Sequence, residues 1–145
     1  MSGSDPYNLQ RFLDAQSRTI DRALSDLLAG SKQSHWMWFI FPQLAGLGRS
    51  PTAKLYGIGS IAEAEAYLRQ PTLAGRLHQC IDALQLWASK RTAEQIFGAV
   101  DAMKLRSSLT LFDLVEPHSI FNEALLNFFG GERDERTLAL LDGGR

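Results

Sequence analysis

The chain has 145 residues, 45% of them hydrophobic and 21% charged, and its 15 Lys and Arg against 16 Asp and Glu leave a formal net charge of -1. That length suits one domain able to hide roughly two-thirds of its unfolded surface, and the composition lies far from the polar, highly charged corner where chains stay disordered. The charge balance lacks the basic footprint of a protein that grips nucleic acid or anionic lipid, and no apolar run reaches the roughly 18 residues that span a bilayer.

The single cysteine, Cys80, has no partner for an internal disulfide, so packing must hold the fold and a reducing compartment suits it. Met1-Ser2-Gly3-Ser4-Asp5-Pro6 carries neither the basic start nor the apolar run of a secretory signal. The cytoplasm is the expected location, with no membrane association.

Apolar residues recur at three- and four-residue steps, which is the helical period. Between Asn8 and Ala29, Leu9, Phe12, Leu13, Ile20, Ala23, Leu24 and Leu27 make one stripe, with Arg11, Asp14, Arg18, Asp21 and Arg22 on the solvated side. Asp5-Pro6 opens this predicted helix and Gly30 closes it. The run His35-Trp36-Met37-Trp38-Phe39-Ile40-Phe41 fits a buried strand or a buried helix by periodicity alone. Ser34 as N-cap and Pro42 as a stop favour a short helix.

Ser50 then caps a predicted helix from Pro51, and Ser60 with Glu63 has the capping-box spacing for one through Leu68. Pro71 suits the first turn of a helix with Leu73, Leu77, Cys80, Ile81, Leu84 and Trp87 on one face. Thr92 with Gln95 repeats the box, and Asp101 is a candidate cap for a helix over Ala102 to Val115. Further helices are predicted from Ser119 to Phe129, ended by Gly130-Gly131, and from about Asp134 through Leu141. The expectation is one compact all-α domain over residues 1–145, with an ordered core over about 5–141 and six to eight helices.

Four motifs carry a resemblance: Asp5-Pro6-Tyr7-Asn8-Leu9-Gln10-Arg11-Phe12, His35 to Gln43, Lys104-Leu105-Arg106-Ser107-Ser108-Leu109-Thr110-Leu111-Phe112, and Phe128-Phe129-Gly130-Gly131. On these the chain resembles the bacterial domain-of-unknown-function family 1810, whose members are often labelled calpastatin. The resemblance covers Asp5 to Leu141 and implies a mainly helical, cytoplasmic protein with no established activity and no catalytic residues to carry over. Calpastatin is a disordered protease inhibitor, whereas these stripes are those of a packed fold. Similar chains often read Pro-Asp-Asp-Leu where Val100-Asp101-Ala102-Met103 stands here, so a role needing two adjacent carboxylates is not supported.

Candidate site residues cluster in and around the aromatic run. Gly46-Leu47-Gly48-Arg49-Ser50 invites a phosphate-cradle reading, yet it lacks both the Gly-Lys-Ser/Thr of a Walker loop and the third glycine of a dinucleotide fingerprint. A capped helix start is the plainer reading, with Arg49 as the anion contact of the alternative. Gln16 lies mid-stripe on its helix, so its amide must bond either neighbouring backbone or a ligand, and the backbone is favoured. Gln43 poses the same question.

His35 is a candidate acid or base, though a lone His near a helix start is usually a capping or core residue. Trp36 and Trp38 suit either a core or a surface on which a planar ligand stacks. Lys104 precedes Ser107 and lacks a visible tuning partner, so Lys104 and Arg106 read as anion-binding or solvated rather than catalytic. No metal-ligand spacing joins His35, His78 and His118, and no cofactor is expected. Two functions remain open. One is binding of a small anionic or nucleotide-like ligand in an aromatic-lined pocket by Gln16, His35, Trp36, Trp38, Gln43, Arg49, Lys104 and Arg106; the other is a non-catalytic protein-interaction module.

Overall fold

A computed structural model describes residues 5–143; residues 1–4 and 144–145, included in the expected domain, lie outside the described residues. Among the described residues ten helices follow in order: α1 Gln10–Ser17, α2 Ile20–Leu28, α3 Met37–Ile40, α4 Pro51–Tyr56, α5 Ile61–Arg69, α6 Pro71–Gln85, α7 Ala93–Phe97, α8 Ala99–Val115, α9 Ile120–Phe129 and α10 Glu135–Gly143. Among the described residues the only extended pairing is an isolated parallel bridge between Leu44 and Ile58.

The all-α expectation holds, but ten helices exceed the predicted six to eight. One reason lies between Asn8 and Ala29, where a single stripe folds as α1 and α2. The Ser17 and Thr19 hydroxyls donate to the carbonyls of Asp14 and Ala15, and the Arg18 and Thr19 amides close tighter bonds to Ala15 and Gln16, so the turn ends there. The short α3, α4 and α7, of four to six residues, carry no stripe and were readable only from the residues that flank them.

α8 is the central element. It packs on α5, α7, α9, α10 and α3, and an aromatic column runs beside it: Phe12 to Tyr67 at 5.2 Å, Tyr67 to Phe112 at 5.3 Å and Phe112 to Phe121 at 5.6 Å between ring centroids. Such edge and tilted packings add to the stability that burial of the rings supplies. The stripe predicted for α6 is buried at Leu73, Leu77, Cys80, Ile81 and Leu84, and burial pushes the Cys80 thiol up to about 12, leaving it protonated and inert. Trp87 follows the end of α6 and packs directly on Gly30, where a Cβ would stand 2.6 Å from the indole and the φ of +68° already requires glycine.

Caps were largely readable. Ser50 accepts from the Ala53 amide at 3.1 Å, Thr92 and Gln95 form the complete reciprocal box, and Gly130 closes α9 in the left-handed conformation. Asp134 accepts from the Thr137 amide at 2.9 Å at the start of α10.

Four expectations need correction. Ser34 does not cap α3, whose N-cap position is Trp36 with no side-chain cap. Ser60 accepts from the Glu63 amide, but Glu63 reaches past Ser60 to the Gly59 amide at 3.0 Å because its second oxygen is held by Arg11 at 2.7 Å. Arg11 is therefore no solvated residue: it also donates to the carbonyls of Leu55 at 2.9 Å and Gly57 at 3.1 Å, clamping α1 to the end of α4 and the loop before α5. Asp101 does not cap α8, which starts after Gly98; it lies in the first turn, its carboxylate turned toward two lysines.

Candidate functional site

A cavity of about 270 Å³ opens between α3 and the first turns of α8. Its walls are Trp36, Met37, Trp38 and Phe39 on one side, Asp101 and Lys104 on another, with Lys32, His35, Ser50 and Thr52 completing the rim. Each carboxylate oxygen of Asp101 holds one ammonium: Lys32 Nζ stands 2.9 Å from Oδ2 and Lys104 Nζ 3.3 Å from Oδ1. The same ammonium groups lie near the indoles, Lys32 5.1 Å from the Trp36 ring and Lys104 5.9 Å from that of Trp38, the distance at which a cation is drawn to the ring quadrupole.

Local chemistry fixes each part. Lys32 cannot drift, because its amide donates to the Ile96 carbonyl of α7 at 2.8 Å and its ammonium donates to the Ser34 carbonyl and is ion-paired with Asp101; its side chain is 8% exposed. Trp36 is pinned by its indole N–H, which donates to Asp26 Oδ2 at 3.0 Å beside the Gln33 amide, also at 3.0 Å. Burial pushes the Asp26 carboxyl upward, but hydrogen bonds from Trp36, Gln33 and Ser34 outweigh it, and the net shift is below the usual aspartate value. Trp38 is held from behind by Gly48, whose added Cβ would meet its ring at 2.9 Å and Ala53 at 2.7 Å. Gly48 thus permits close packing on Trp38, and the capped helix start that was the plainer reading of this loop is α4, with Ser50 accepting from the Ala53 amide.

Four of the eight predicted residues come together at the cavity: His35, Trp36, Trp38 and Lys104. Trp36 and Trp38 are only 1% and 9% exposed, so they belong to the core and border the cavity at once. Gln16 sits behind α3, its amide donating to the Phe39 carbonyl at 2.7 Å and the Tyr67 hydroxyl at 2.9 Å; backbone is its partner, as its place in the stripe favours. That bond satisfies a carbonyl the four-residue helix leaves open. Gln43 is buried, with its side-chain nitrogen lacking a hydrogen-bond partner and outside the cavity lining.

Arg49 is exposed and lines no part of this cavity, and Arg106 lies elsewhere on α8, between grooves of about 310 Å³ and 620 Å³ beside α9 and α10. Its guanidinium stands 5.9 Å from the Phe129 ring and 3.7 Å from Glu132. Lys32 and Asp101 were not singled out as ligand contacts, and Ser50 and Thr52 were weighed only as part of the helix start in the anion-binding alternative. The visible signal for the first two was a lysine just past a helix stop beside an aromatic cluster, and an Asp three residues before a Lys on one helix face. Among the described residues no group of three or more His, Cys, Asp or Glu could hold a metal ion.

An all-helical chain with this aromatic motif and this packing has relatives. It belongs to the family described as protein of unknown function (DUF1810), whose model matches residues 6–141. It is also similar to the conserved hypothetical protein Rv1873 from Mycobacterium tuberculosis, whose crystal structure at 1.38 Å shares 45% sequence identity and a TM-score of 0.91, the match covering 95% of this chain and 99% of that one. No curated protein matches the chain. No helix among the described residues is long and apolar enough to cross a membrane.

Proposed function

We propose that the cavity between α3 and α8 binds a small anionic metabolite in the cytoplasm. The observation that carries this reading is the pair of lysines sharing Asp101 at the edge of an indole-walled cavity, one of them with a side chain only 8% exposed. Holding a lysine that deep is costly, and a fold needing only core packing would place an apolar side chain there. Hydroxyls of Ser50 and Thr52 on the rim add donors suited to oxyanion oxygens. A volume of about 270 Å³ lies at the small end of ligand sites, which narrows the nucleotide-like expectation to a ligand of single-ring size rather than a dinucleotide.

A thermal-shift screen against anionic metabolites tests the reading. A ligand at about 100 times its dissociation constant adds nearly 3 kcal/mol of stability. The expected result is a set of stabilising anions whose effect disappears in a folded Lys104→Gln variant and persists in Arg49→Ala. Absence of any stabilising anion, or hits indifferent to Lys104, would contradict it.

A protein-interaction role rests on a different observation. Val100 and Met103, one turn apart on α8, are 68% and 52% exposed beside the groove that Phe128 and Phe129 line. That reading requires a partner protein whose binding Met103→Asp abolishes while ligand binding at the lysine cavity is kept.

A further inference from the structure

We propose that Asp101 sets the charge of the ligand, making the cavity selective for a monoanion, such as a carboxylate on a planar ring, over a dianion such as a phosphate monoester. The inference rests on the reading of this cavity as a ligand site and goes on to say which anion it takes.

An ammonium has three N–H donors and no acceptor. Lys32 gives one to the Ser34 carbonyl, and both ammonium groups are ion-paired with Asp101, Lys32 at 2.9 Å from Oδ2 and Lys104 at 3.3 Å from Oδ1. Beyond the Ser34 bond, donors of both ammonium groups are left for a ligand, enough for both oxygens of a carboxylate. The formal charge is smaller than the donor count suggests. Two lysines and one aspartate leave a single positive charge, and His35 adds none when neutral. A monoanion brings the cavity to neutrality. A dianion would leave one uncompensated negative charge beside Asp101 and two buried indoles, and the cost of stripping water from an ion climbs steeply with its charge.

Asp101 cannot move aside to change this. Its removal from Lys32 would strand an ammonium that is 8% exposed with the Ser34 carbonyl as its remaining bonded partner. The carboxylate thus stays as a permanent counter-ion, and the ligand's anion joins it rather than replacing it.

Benzoate and phenyl phosphate are the probes, titrated calorimetrically into wild type and Asp101→Asn at a pH where phenyl phosphate is a dianion. Losing one negative charge from the site raises the local potential, which a dianion gains twice over. The expected result is that wild type prefers benzoate and that the phenyl phosphate to benzoate affinity ratio rises by about tenfold or more in the variant. Lys104→Gln gives a second reading that leaves the Lys32 to Asp101 pair in place: a site of zero formal charge should lose benzoate affinity by about tenfold and bind phenyl phosphate still less well. Circular dichroism on both variants establishes that they fold. If wild type binds benzoate and the ratio is the same in folded Asp101→Asn, or in folded Lys104→Gln where Asp101→Asn does not fold, the charge-setting role is overturned while the ligand site stands. If wild type and both variants bind neither probe, the ligand reading itself fails, and the inference with it.

Discussion

The two ends of α8 use charged side chains in opposite ways. At its first turn, Asp101 gives each oxygen to a different lysine, and ammonium donors are left over facing a cavity. Toward its C-terminal end, Asp113 is fully buried and takes two donors of Arg133 on a single oxygen, at 2.6 Å and 3.1 Å, while Thr110 accepts the Asp134 amide at 2.9 Å and ties α10 to the helix. The second arrangement is spent on joining helices. The two groups differ in what they border: Asp101 shares its carboxylate between two lysines at the wall of an indole-lined cavity, whereas Asp113 and Arg133 fasten the chain before α10 to α8.

Breaking the structural end should produce the largest effect. Arg133→Met strands a buried Asp113 carboxylate, and the expected loss is about 3 kcal/mol in chemical denaturation, with anion binding at the cavity unaffected in the fraction that remains folded. An unchanged urea midpoint would show that the pair does not hold α10. Asp26→Ala comes next, because it leaves the Trp36 indole N–H and the Gln33 amide without their acceptor; about 2 kcal/mol is expected, together with weaker ligand binding as Trp36 loses its anchor.

Asp26 also gives a pH test. Its folded carboxyl lies below the ordinary aspartate value, so its stabilisation is complete above that ordinary value and is lost as pH falls through the depressed one. Wild type should lose its stability advantage over Asp26→Asn along this acid limb, measured by urea midpoints at successive pH values, and parallel curves would count against the assignment. Thr92→Ala removes one half of the capping box of α7 and should cost about 1 kcal/mol. Arg49→Ala, the smallest change, should move neither stability nor anion affinity by more than about 0.5 kcal/mol, since its side chain is exposed and outside the cavity.

Much of the fold was legible because local chemistry repeats along the chain. The α6 stripe, the Ser50 and Thr92 caps and the glycine after α9 each follow from residues a turn or two apart. Gln16 was legible for the same reason: its place among Leu9, Phe12 and Ile20 demanded a buried partner, and Phe39 supplies one. The aromatic run marked the cavity wall without disclosing that Trp36 and Trp38 would be nearly buried.

What periodicity could not convey was which distant charges meet. Arg11 looked solvated on its own helix, and only the return of the loop before α5 brings it Glu63. Lys32 and Asp101 behave likewise: each was an ordinary loop or helix-start residue until the Lys32 amide, bonded to Ile96 of α7, set the lysine beside the first turn of α8. Arg106 shares a helix with Lys104, yet a two-residue step turns it about 200° around the axis and into another groove.

The three tryptophans offer the most direct test of the ligand site, because Trp36 and Trp38 border the cavity while Trp87 lies outside its lining, bonded to the Leu27 carbonyl at 2.9 Å. In a nitrogen-15 NMR titration with benzoate, the account expects the indole signals of Trp36 and Trp38 to move along saturating curves with one shared dissociation constant while that of Trp87 stays still. Movement of Trp87 alone, or three unmoved indoles at saturating benzoate, would contradict a ligand site at Lys32, Asp101 and Lys104.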